Sequence, residues 1–176
     1  MALIIEQVKE DRPRIAPAAS GGYSAVCCGV YDLGLQPNTF DKSKPDRREI
    51  AISFELDSVI ENEGDFNGKR RLVTSRCSVF YSKDSNLMKL ITGWFGKTPT
   101  EEFMQTFDWD SLIGKPAYIT MIGTGKYDED GNEKTKIGNV IDLPKGMPAM
   151  TPETLPSDIP NWIIDLRAKS ISFQAK

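Results

Sequence analysis

The chain has 176 residues, a formal net charge of −3, and 39% apolar and 27% charged residues. That is the balance of an ordinary globular domain with length enough for a buried core. It contains no histidine, which excludes Ser-His and Cys-His nucleophile pairs and imidazole zinc sites.

No apolar run approaches the roughly 20 residues of a membrane span. The opening "MALIIEQVKEDRPR" puts mixed charges directly after a short apolar patch, so no secretory signal is expected and the cytoplasm is the expected location. Residues 1–22 read as a leader, with Pro13, Pro17, Gly21 and Gly22 marking irregular backbone. "YSAVCCGVYDLGLQ" (23–36) is rich in β-branched, aromatic and small residues and predicts a long first strand, with a bulge or bend at Gly29. Cys27 and Cys28 are adjacent and Cys77 stands alone; an odd, irregular set predicts reduced, half-buried thiols rather than a disulfide framework.

"PNTFDKSKPDRR" (37–48) reads as a basic loop. In "EIAISFELDS" (49–58), Ile50, Ile52, Phe54 and Leu56 alternate with Ala51, Ser53, Glu55 and Asp57, predicting a second strand with one buried and one open face. After the charged turn "ENEGDFNG", the stretch "GKRRLVTSRCSVFY" (68–81) predicts a third strand paired to the second. "KDSNLMKLITGWFGK" (83–97) changes period. Leu87, Leu90, Ile91 and Trp94 form a helical stripe, Ser85 is the expected N-cap, and Gly93 and Gly96 are expected to end the helix. A second short helix is expected in 98–115, capped by Thr100. Strands follow at 116–127 and 135–143 around an Asp130-Gly131 turn. From Pro144 a proline recurs every fourth residue to Pro160, predicting an extended strap, and "NWIIDLRAKSISF" reads as a short amphipathic piece that docks on the domain.

Three strands, a helical insert and two strands is the element order of the OB-fold, a five-stranded Greek-key barrel with its helix between strands three and four. The expectation is a mainly β chain: leader 1–22, OB-fold-like domain 23–147, and Pro-rich strap with amphipathic segment 148–176. A generic α+β sandwich is the alternative.

Catalytic motifs fail on inspection. "GWFGKTP" places Ile91 where a phosphate-binding loop needs glycine. "DEDGNEK" places its glycine fourth rather than sixth for a calcium loop. Glu101/Glu102 suit a helix N-terminus, and Asp108/Asp110 lack accompanying groups for magnesium. No enzyme, cofactor or metal is expected.

What remains is charge. Lys42, Lys44, Arg47 and Arg48 lie in the first loop, Lys69, Arg70, Arg71 and Arg76 on the third strand, and Lys126, Lys134 and Lys136 around the last hairpin. Those are the segments with which an OB-fold binds oligonucleotides. Tyr31, Phe40, Tyr81 and Tyr127 are candidate stacking platforms close to those charges. The same loops carry Asp41, Asp46, Asp65 and Asp128, so a plain solvated surface is the competing reading for each cation.

The runs "YSAVCCGVYDLGLQ", "SVFYSKDSNLMKLITGWFGK" and "LIGKPAYITMIGTGK…KIGNVIDLPKG" resemble a family of small bacteriophage and prophage proteins, over roughly residues 20 to 147. The resemblance implies OB-fold, single-stranded DNA-binding-like proteins with replication-associated roles. It implies sequence-independent coating of single strands in replication or recombination, in the host cytoplasm. The implied partners are single-stranded DNA (or RNA), phage or host replication and recombination proteins, and further copies of the chain. The chain departs from the acidic tail common among such proteins, since it ends "RAKSISFQAK". An interaction or virion-associated module with no nucleic-acid role is the alternative function.

Overall fold

A computed structural model describes residues 14–38 and 41–170. The alternating run of the second strand organises it. Strand β1 (Gly21–Gln36) pairs antiparallel with β2 (Arg47–Val59), and β2 with β3 (Arg70–Ser78). The start of β1 also pairs with β4 (Pro116–Tyr127), which pairs with β5 (Glu133–Ile141). The result is one five-stranded antiparallel sheet in the order β3-β2-β1-β4-β5.

Ile50, Ile52, Phe54 and Leu56 face the main core, as the alternation predicts, together with Ala25, Cys27 and Ile119. Helix α1 (Asn86–Phe95) covers this face. Its N-cap Ser85 accepts from the Met88 N–H, and Gly96 closes it in the left-handed region at φ 76°. The buried stripe Leu87, Leu90, Ile91 and Trp94 is the expected one, and Trp94 meets Phe54 edge-on at 5.2 Å. Gly93 does not end the helix. A Cβ there would lie 2.7 Å from the Val140 carbonyl oxygen, so its role is close approach to β5. Helix α2 (Glu101–Gln105), capped by Thr100, and a short 3-10 turn (Trp109–Leu112) lead into β4.

The barrel is not closed. Among the described residues no ladder joins β3 to β5. Helix α1 is seated against both edges, and residues 14–18 reach both: the Ala16 carbonyl accepts from Arg71 and the Ala18 carbonyl from Thr135. Side elements therefore occupy the seam that a closing ladder would need.

Of the expected open face of β2, only Asp57 is exposed. Ala51, Ser53 and Glu55 are 0%, 4% and 1% exposed. The proline strap crosses this face, and helix α3 (Asn161–Lys169) docks beside it, seating Ile163 against Tyr31, Leu33 and Ala51. Only Ile163 of the apolar trio is buried; Trp162 and Ile164 are exposed. The register skips a residue between Cys27 and Gly29, the bulge expected near Gly29. The Tyr31 ring lies where a Cβ on Gly29 would sit, so any larger residue there would have to displace that buried ring. The three cysteines are free and buried. Burial pushes the Cys27 thiol up to about 12 and Cys28 to about 11, leaving both neutral and unreactive.

Candidate functional site

Pairing places Val73 opposite Phe54 and Cys77 opposite Ile50, so alternate residues of β3 face the core while Arg70, Leu72, Thr74 and Arg76 take the strap face. Arg70 and Arg71 therefore point to opposite sides, and the run 69–71 is not one ridge. Arg71 is committed to the fold: its Nε donates to the Ala16 carbonyl at 3.0 Å, and its Nη1 to Ser58 Oγ at 2.7 Å and the Val59 carbonyl at 2.6 Å. Arg70 Nη1 donates to the Thr151 carbonyl at 2.6 Å and lies 3.4 Å from Glu55, while its Nε lies 3.3 Å from Glu153. Arg76 pairs with Glu49 at 2.6 Å and Arg48 with Asp32 at 2.5 Å. Partial burial pushes the Asp32 carboxyl up, but hydrogen bonds from Arg48 and the Gly34 N–H outweigh it and hold the group below its ordinary value.

The remaining cations have no ion-pair partner among the described residues: Lys42, Lys44, Arg47, Lys69, Lys126, Lys134 and Lys136. They fall at two ends of the sheet. Arg47 pairs with Gln36 at the far end of β1, whereas Gly21 at its near end pairs with Met121, and β4 runs on to Lys126 and Tyr127. Residues 14–18 link this β4–β5 arm to the β2–β3 turn. Arg14 pairs with Glu129, and its carbonyl accepts from Asn62. Lys69 thus shares an end with Lys126, Lys134 and Lys136, and the first loop does not join them.

The aromatic platforms divide too. Tyr31 is 8% exposed beneath α3 and cannot stack on a base in this conformation. Tyr81 donates to the Pro99 carbonyl and lines a cleft of about 480 Å³ that combines Ile50, Phe80, Met88 and Trp109 with the charged Asp32, Arg48, Glu101 and Asp110. Tyr127 is 64% exposed on the arm. Phe40 lies outside the described residues.

Sequence reasoning missed Phe66. It is 52% exposed in the β2–β3 turn, and Lys69 Nζ stands 5.3 Å from its ring centre. The available signal was a lone aromatic in an otherwise charged turn. No protein-family model, curated protein or solved structure matches the chain. Phe66 and Lys69 line a groove of about 920 Å³ along β3, with Ile15 and Leu72 beside them and Glu153 and Asp158 of the strap on its wall. A cationic head over an exposed ring, next to apolar surface, can take a flat π-system and an adjacent anion. At the arm's tip, N–H groups of Asn132 and Asp130 hold the Asp128 carboxyl low despite slight desolvation, so the extreme tip stays anionic.

Proposed function

We propose that this chain is a non-catalytic single-stranded nucleic-acid-binding protein of phage type, with an OB-fold-like sheet that stops short of closure. It would coat single strands in replication or recombination without reading base sequence. The observation that carries the reading is the groove along β3, where the exposed Phe66 ring sits with Lys69 at 5.3 Å. Lysines 126, 134 and 136, without an ion pair among the described residues, and the exposed Tyr127 ring occupy the same end of the sheet. Stacking on an aromatic and attraction to phosphate both ignore base identity, which suits a coating protein. The strand order, with β1 shared between β2 and β4 and a helix between β3 and β4, is compatible with this fold family. The footprint is narrower than the cation count suggests, because Arg48, Arg70, Arg71 and Arg76 are engaged by carboxylates or carbonyls.

The test is binding of a short labelled oligonucleotide at low and moderate salt. Each phosphate contact contributes about 0.7 to the salt slope for a single strand. Replacing Lys126, Lys134 and Lys136 together by alanine should flatten the slope by about two units and leave melting nearly unchanged. Phe66→Ala should weaken binding by the roughly 1–3 kcal/mol of a lost stack. Absence of wild-type binding at low salt would overturn the proposal. The protein-interaction reading would then take over, favoured by the cleft of about 480 Å³ at the other end of β1, where apolar side chains lie beside Glu101 and Asp110.

A further inference from the structure

We infer that the Glu153 side chain is a built-in competitor for nucleic-acid phosphate, occupying Arg70 at the groove until a strand displaces it. The inference rests on the binding reading above and adds regulation to the same site.

The strap is anchored independently of this side chain. Glu55, whose side chain is 2% exposed, accepts the Glu153 N–H at 2.9 and 3.0 Å, the Thr154 N–H at 2.8 Å and the Thr154 hydroxyl at 2.7 Å. Its oxygens are thus filled by the strap, and Arg70 stands off at 3.4 Å. Glu153 grips Glu55 through its main-chain N–H, so its side chain is free to move while the strap stays seated. That side chain is 59% exposed and lies 3.3 Å from Arg70 Nε, on the wall of the groove that holds Lys69 and Phe66. The pair is open on its Glu153 side, while Arg70 is only 22% exposed, and an ion pair with one end in water is easily exchanged. A polyanion drawn in by Lys69 offers Arg70 a phosphate oxygen of the same charge, with bidentate geometry available to the guanidinium. Binding and strap contact then share one guanidinium, and each weakens the other by the same factor.

The test uses the full-length chain and a labelled oligothymidylate. Glu153→Gln keeps the main-chain bond to Glu55 and removes the competing charge. It should bind roughly five-fold tighter at low salt, the lower range of a coupling between sites. Its salt slope should steepen by about 0.7, because one more phosphate is contacted. Asp158→Asn is the control for general repulsion: it lies on the same groove wall with no ion pair to Arg70 and should leave the slope unchanged. If wild type binds and Glu153→Gln binds identically, the strap does not compete and the binding reading stands alone. Equal gains in affinity and slope from both variants would reduce the effect to general repulsion and overturn the inference. If wild type and both variants all fail to bind, the binding reading falls and the inference with it.

Discussion

A carboxylate removed from water costs several kcal/mol unless its lone pairs are filled, and Glu55 shows how this chain meets that requirement. Its partners come from a strap about a hundred positions later: two main-chain N–H groups and the Thr154 hydroxyl, with Arg70 nearby. The residue is therefore structural, although its type suggests a surface position. Glu55→Ala should cost about 3–5 kcal/mol, because it leaves the strap's donors and Arg70 without their acceptor. Glu55→Gln should also be costly, since an amide nitrogen would face donors. Urea denaturation followed by tryptophan fluorescence measures both, and an alanine variant within about 1 kcal/mol of wild type would show that the clamp does not hold the strap. The same period-two logic separates Arg70 from Arg71. Neighbours on a strand point to opposite faces, so three cations in a row never promised one ridge.

At the level of elements, helix α1 is where the sheet's openness is decided. It needs its backbone against β5, and Gly93 permits this by presenting no Cβ to the Val140 carbonyl. Gly93→Ala sets two effects against each other. Alanine gains up to about 1 kcal/mol in helix propensity, but overpacking against main chain costs typically 1–3 kcal/mol. The second should win, giving a lower melting temperature with helix content retained; a stabilised variant would mean the helix shifts freely. Much of this level was legible in the sequence. All five strands, both helices between β3 and β4, and the Ser85 and Thr100 caps follow from period, branching and capping residues. The buried second face of β2 was not legible. Ala51, Ser53 and Glu55 read as an open face because their cover is an irregular proline segment that carries no periodicity. Phe66 escaped for a related reason, since a turn residue has no period to place it.

In the whole molecule, the sheet is sandwiched between α1 on one face and the strap with α3 on the other, and its seam is plugged by residues 14–18 and α1 rather than by a ladder. The C-terminal layer is therefore part of the fold's stability. Removing residues 147–176 would uncover Val26, Tyr31, Leu33 and Ala51, all at most 8% exposed. It would also strip Glu55 of its strap donors. Loss of the Ile163 contact alone is worth about 1.5–3 kcal/mol, and Tyr31, Leu33 and Ala51 lose their cover with it, while Glu55 regains water. Summed over that face, the lost apolar burial is comparable with the whole stability of a small domain, about 5–15 kcal/mol. The truncated chain should therefore be unfolded, or survive only by burying the bared face against another copy. Size-exclusion chromatography with an apolar-surface dye separates these outcomes from a passive tail. A monomer that melts like the full chain and binds no dye would show that the sheet stands without its strap. The five prolines at four-residue intervals then acquire a physical role: they restrict the unfolded strap, so that less entropy is lost when it is laid across the face it covers.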